Sequence, residues 1–218
     1  MNNNENKILT ARGIAEIAIM TAIALSLDFL QSGLWKGFFV NGGSIGLSMI
    51  PLLILCYRRG FVAGLISGFI LSFLQMLGGV YAIASTWYNV FFQILLDYIL
   101  AYPLVALAGL FYKKFHESDD FTDKIKWAMI GTFVGGSAKF LAHFLAGFIF
   151  WSSSVPETFE GGPLLYSFLY NGGYMLPNII ISGLIISIII IKAPKIFEVE
   201  EIKHKKVQAT TRGDTYEE

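Results

Sequence analysis

The chain has 218 residues, 55% of them hydrophobic and only 15% charged, with a mean hydropathy of +0.60 and a formal net charge of zero. Long apolar runs nearly bare of charge exclude an ordinary soluble globule, and nothing in the balance of charge suggests a nucleic-acid partner. The single cysteine, Cys56, excludes a disulfide framework and a thiolate metal site built from this chain.

The polar start, Met1 to Lys7, leads into an apolar stretch that passes Leu25 without a small-residue cleavage site, which predicts a retained helix and not a signal peptide. Apolar runs near or somewhat above the roughly 17–25 residues needed to cross a bilayer predict six membrane helices, over 9–30, 44–58, 60–79, 88–112, 125–151 and 163–192. The expected fold class is therefore an all-α integral membrane protein with six transmembrane helices. Segment 31–43, with Gly33, Gly37, Gly42 and Gly43, is expected to be a loop. Tyr57-Arg58-Arg59-Gly60 is so short a link that the second and third helices must be antiparallel neighbours. Beyond Pro194 the chain turns polar, so 1–195 reads as one domain and 196–218 as a charged cytoplasmic tail. Gly64, Ser67, Gly68 and Ser72 are small residues suited to close helix packing.

Orientation follows from the cations. With the amino terminus inside, every one of the 16 Lys and Arg residues falls on the cytoplasmic side except Lys36, in an outer loop, and Lys139, inside a span. The excess of positive charge on one side places both termini in the cytoplasm.

Lys139 and His143 lie within the apolar run from Ile125 to Trp151. Ionisable groups there are costly and mark ligand or ion pathways. At 1.5 Å per residue, Asp97 lies about 13 Å below Tyr88 in the fourth helix and His143 about 12 Å below Trp151 in the fifth. Asn171 lies at a similar depth in the sixth, with Tyr166 above it. Lys139, His143, Gly147 and Trp151 recur every four residues and share one broad helical face. A polar, aromatic-topped pocket opening outward accounts for this common level. The same groups could instead pair with one another and lock helices together. Trp87, Tyr88 and Trp151 could be interfacial anchors, and Asp28 a hydrated residue near a helix end.

Catalytic signatures fail. The run from Gly131 to Lys139 has Ser137 where a P-loop needs Lys after its second Gly. Gly64-Leu65-Ile66-Ser67-Gly68 lacks the G-x-S-x-G spacing. His116 and His204 do not make metal-ligand spacing with His143, so no metal and no cofactor is expected.

Ala15-Glu16-Ile17-Ala18, Gly42-Gly43-Ser44-Ile45, Met49-Ile50-Pro51, Arg58-Arg59-Gly60, Gln93 to Tyr98, Ala108-Gly109-Leu110-Phe111, Lys139 to Trp151 and Tyr166 to Asn171 together resemble a known family. This is the family of thiamine-specific substrate-binding subunits, or S-components, of energy-coupling factor transporters, and Lys139 to Trp151 is its most specific stretch here. The resemblance implies a bacterial cytoplasmic-membrane protein that captures thiamine from outside without an ATPase motif of its own, and not an enzyme. It implies a membrane coupling protein and two cytoplasmic ATPases as partners. It also implies that Asp97, Lys139, His143, Trp151, Tyr166 and Asn171 surround thiamine, with Tyr98 and Gly147 nearby and Trp35 as a possible lid. Some relatives carry Glu at the position of Asp97, whose carboxylate reaches one methylene less.

The residue chemistry suits that ligand. A thiazolium cation beside an aminopyrimidine calls for aromatic faces, a carboxylate and oriented hydrogen bonds. Lys139 is expected to pair with Asp97 or a helix carbonyl. Ala11, Ala15, Ala18 and Ala22 place small residues at helical spacing, with Ala18 and Ala22 offering a docking surface for a partner helix or close packing within the chain. Two other functions stay open at this stage: an S-component for a thiamine precursor or another small aromatic vitamin, and an intramembrane enzyme using Asp97 and His143.

Overall fold

The computed structural model describes residues 10–199. Lys7, His204 and the stretch 200–218 of the charged tail lie outside the described residues. Among the described residues, six helices carry the fold: α1 (Ala11–Trp35), α2 (Met49–Arg59), α3 (Phe61–Met76), α4 (Trp87–Glu117), α5 (Phe121–Phe150) and α6 (Gly162–Lys192). Among the described residues there is no strand. Four of the helices, α1, α4, α5 and α6, are long and apolar enough to cross a membrane.

Thr10 starts α1 by accepting the Gly13 N–H at 3.1 Å, satisfying one of the amides that a helix start leaves open. The helix runs a turn past its expected end, to Trp35. The cause is Gln31, which is buried yet fully engaged: its Nε2 donates to Ser44 Oγ and Ser48 Oγ at 3.0 and 2.9 Å, and its Oε1 accepts the Ser48 N–H at 3.1 Å. A buried amide so satisfied removes the penalty that made a loop the natural expectation.

The second element differs more. Helix α2 has 11 residues, too few to cross the bilayer, and the chain from Asn41 to Ser48 is largely irregular. Gly42 and Gly43 take φ of 90° and 104°, a region open to Gly. Asn178 of α6 splices this stretch to the bundle, its Oδ1 accepting the Gly46 N–H and its Nδ2 donating to the Ser44 carbonyl, both at 2.7 Å. Irregular backbone at membrane depth needs such internal partners. Helix α2 itself is the centre of the core, with Leu52, Leu53, Leu55, Cys56 and Tyr57 fully buried.

Gly60, at φ 88°, turns α2 back into α3. Small residues then bring α3 close to its neighbours, as expected from the sequence: Ser67 Oγ meets Thr21 Oγ1 of α1 at 2.7 Å, and a Cβ on Gly68 would stand 2.7 Å from Pro103 Cα.

Helix α4 is not uniform. Its α-helical start, Trp87–Ile94, opens into a π-helical turn at Leu95–Leu100, returns to α-helix and tightens to a 3-10 turn at Ala106–Phe111. Pro103 follows the widened turn; it has no N–H to offer the Ile99 carbonyl and its ring crowds that group. The π turn carries Asp97 and Tyr98, and such bulges concentrate at functional positions. At the far end of the bundle Tyr57 stacks on Phe115 at 5.4 Å and meets Phe197 at 6.5 Å, gathering the cationic ends of α2, α4 and α6.

Candidate functional site

A cavity of about 450 Å³ opens between α1, α4, α5 and α6 at the end away from those cationic termini. It brings together Asp97, Tyr98, Lys139, His143, Gly147, Trp151, Tyr166 and Asn171. Neither Trp35 nor Ala18 or Ala22 lines it.

The wall formed by α4 and α5 is organised on Asp97. The indole Nε1 of Trp151 donates to its Oδ2 at 2.9 Å, and His143 Nδ1 stands 3.4 Å from its Oδ1. Tyr81, from the loop between α3 and α4, leans on Trp151 with centroids 5.3 Å apart. Tyr98 anchors that loop by accepting the Tyr81 N–H at 3.0 Å, and Gln93 accepts the Ile83 and Ala84 N–H groups at 3.2 and 3.3 Å.

Lys139 sits elsewhere than expected. Four residues before His143 on α5, it lies about one turn, or 6 Å, deeper. Its Nζ is 3.4 Å from the centroid of the Tyr102 ring, whose hydroxyl donates to Asp28. The expected Lys139–Asp97 pair is therefore replaced by a Lys139–Tyr102–Asp28 floor, with Asp97 held by Trp151 and His143 at the level above. Asp28 is 3% exposed and lies beneath the cavity, not at a hydrated helix end. It accepts from the Tyr102 hydroxyl and, at 3.4 Å, from Gln31 Nε2. Since the one Tyr102 proton goes to Asp28, Ser48 Oγ donates to the Tyr102 oxygen at 3.0 Å. This chain of buried hydrogen bonds ties α1, α2 and α4 together beneath the cavity.

Helix α6 supplies the opposite wall. Tyr166 and Tyr170 stack at 5.7 Å with planes 29° apart, and Tyr174 packs edge-on to His143 at 6.0 Å. Asn171 is oriented on both sides, donating to the Ser167 carbonyl at 2.9 Å and accepting from the Tyr174 hydroxyl at 2.6 Å. Gly147 lets the α6 side chains pack close against α5, since a Cβ there would stand 2.3 Å from Ser167 Oγ and 2.9 Å from Asn171 Nδ2.

The mouth is bordered by the α1–α2 connection. Tyr170 accepts the Asn41 N–H at 2.9 Å and donates to the Gly42 carbonyl at 3.0 Å. Phe39 packs edge-on to both Tyr170 and Tyr174 and lines the cavity. Trp35 packs behind it, against Phe38 and Phe39, because the extra turn of α1 carries it off the cavity. Phe39, and not Trp35, lines the cavity at this border. Sequence reasoning also missed Asp28, Tyr102, Tyr170 and Tyr174. The fourfold spacing Tyr166, Tyr170, Tyr174 and Asn178 was open to the rule applied to α5, and Asp28 was an ionisable residue within a span.

The arrangement offers a carboxylate between indole and imidazole, several aromatic faces and oriented amide and phenol groups. Such a set suits a flat, cationic, donor-rich heteroaromatic molecule.

Comparison with known proteins agrees. Residues 14–198 match the family described as Thiamine transporter protein (Thia_YuaJ). Thiamine transporter ThiT of Bacillus subtilis (strain 168) is 31% identical over 204 residues, 89% of this chain and 97% of the relative. That of Lacticaseibacillus paracasei is 27% identical over 203 residues, covering 90% and 95%. A solved structure of ThiT from Listeria monocytogenes superposes with a TM-score of 0.71 at 31% identity, covering 85% of this chain and 96% of that one. The long apolar helices and these relatives make this a multi-pass protein of the bacterial cell membrane, and a transport subunit in place of an enzyme. With the match spanning nearly all the described residues, the chain belongs to the thiamine transporter protein family.

Proposed function

We propose that the cavity is the thiamine site, and that the chain is the substrate-binding S-component of an energy-coupling factor transporter. The observation that carries this reading is the Asp97 cluster: one carboxylate held by Trp151 and His143, in a cavity walled by Tyr81, Tyr166, Tyr170 and Tyr174. A thiazolium gains from the carboxylate and from the ring faces, and more so where water is displaced. An aminopyrimidine carries donors and ring nitrogens, which Asp97, Tyr98 and Asn171 can meet. Tyr166 and Trp151 cover the ligand, Gly147 lets Ser167 and Asn171 close up beside it, and Phe39 closes the mouth. Lys139 acts on the ligand indirectly, over the Tyr102 ring beside Asp28 beneath the site, and Asp97 is the carboxylate that meets the ligand's charge.

The cavity faces the outside of the cell, with both termini in the cytoplasm, in keeping with the cations gathered at the opposite end. Transport is completed by a membrane coupling protein and two cytoplasmic ATPases. Ala11, Ala15, Ala18 and Ala22 are all exposed along α1, on the side away from buried Ile17, Thr21, Ala24 and Asp28. That strip of small residues is where the coupling protein's helices approach. Titration calorimetry of the purified chain with thiamine, its phosphates, its pyrimidine half and riboflavin tests the reading. Tight binding of thiamine at one site supports it, and preference for riboflavin or for the pyrimidine half overturns it.

A further inference from the structure

At the cationic end of the bundle, two lysines from different helices converge on one indole. Lys114 of α4 places its Nζ 4.1 Å from the centroid of Trp127, and Lys126 of α5 places its own at 5.3 Å. Phe111 stacks on the same indole, at 6.1 Å with planes 19° apart. Two ammonium groups thus meet at one indole, and neither has a carboxylate within ion-pair distance among the described residues. An anion beside that indole would be attracted to both. Toward the membrane, the same two helices expose Leu110, Ile130 and Phe133. These lie one to two turns from the lysines and form an apolar wall directly beyond the charged pair.

We propose that Lys114, Lys126 and Trp127 form a binding site for an anionic phospholipid. Its phosphodiester lies between the two ammonium groups, and an acyl chain lies along Leu110, Ile130 and Phe133. The Trp127 indole sits at the headgroup level and fixes both lysines by cation–π attraction. Basic pockets between membrane helices select anionic headgroups in this way. A free phosphate offers the same charge, but it would make no use of the apolar wall. The site is separate from the thiamine cavity and stands or falls independently of it.

The test is native mass spectrometry of the purified full-length chain with phosphatidylglycerol or phosphatidylcholine of identical acyl chains. Wild type should retain phosphatidylglycerol in preference to phosphatidylcholine. Each lysine near an anionic lipid is worth a factor of about five, so Lys114→Gln with Lys126→Gln should cut that preference on the order of twentyfold. Lys113→Gln, which removes an exposed neighbouring cation that is not on the indole, should change it little. Unchanged thiamine affinity in each variant certifies the fold. An equal loss in Lys113→Gln would mean general surface charge and would overturn the site, as would a double variant that keeps its preference. Displacement of phosphatidylglycerol by millimolar inorganic phosphate would assign the lysines to free phosphate and would also overturn it.

Discussion

The Trp151 indole N–H donates to Asp97 Oδ2 at 2.9 Å, tying the outer end of α5 to the π-helical turn of α4. The same indole packs against Tyr81 at 5.3 Å and lines the cavity, so one residue both orients the carboxylate and offers a ring to the site. Losing the ring and losing the N–H should therefore have separable effects.

Trp151→Phe keeps a ring but leaves Asp97 without its charge-assisted hydrogen bond, a contact worth about 1.5–3 kcal/mol. Thiamine affinity should fall by roughly tenfold or more. Trp151→Ala and His143→Ala also remove ring faces, each worth about 2 kcal/mol when desolvated. Wild-type tryptophan emission should be quenched by thiamine. Equal quenching in Trp151→Phe would reassign the reporter to another indole, and unchanged affinity in a folded alanine variant would remove that residue from the site.

Asp97→Asn preserves shape and much of the hydrogen bonding while deleting the charge. Lys139 is engaged with Tyr102 and Asp28 below, so the ligand's cation is the charge that Asp97 meets. The variant should weaken thiamine by more than it weakens a neutral pyrimidine analogue, as read by calorimetry on both ligands. Equal losses would mean that Asp97 only organises the helices.

The floor makes its own prediction. Lys139→Met removes the cation that lies over the Tyr102 ring beside buried Asp28, and a buried carboxylate stripped of nearby positive charge is destabilising, whereas neutralising both groups is milder. Thermal unfolding should drop steeply in Lys139→Met and recover in part when Asp28→Asn is added. Additive losses in the double variant would show that the two residues do not interact.

Much of this was legible in the chain. The four-residue spacing along α5 located the wall, because a long uninterrupted helix keeps its face. What failed was rotation and local geometry. Depth counted from the helix ends says nothing about azimuth, so it leaves Asp97 and a helix carbonyl as partners for Lys139 and does not reveal Tyr102. The π turn before Pro103 re-aims Asp97 in a way no regular period reveals. Trp35 was displaced by Phe39 because Gln31, bonded to Ser44 and Ser48, extends α1 by a turn. The short α2 escaped notice since the non-helical stretch before it is satisfied by Asn178, a residue distant in sequence.

On the exposed face of α1, Ala18→Leu or Ala22→Leu should abolish uptake in cells while leaving thiamine affinity intact, because a bulky side chain holds a partner helix away from a surface remote from the cavity. Normal transport and co-purification with the coupling module in both variants would move the docking surface off α1.

The most direct measurement is titration of the purified chain with thiamine, followed by recovery and analysis of the ligand. The expected result is saturation at one thiamine per chain, with the ligand recovered unaltered and binding lost in Asp97→Asn with Trp151→Ala. Absence of saturable binding, or affinity unchanged in that folded double variant, would contradict the assignment of the cavity to thiamine.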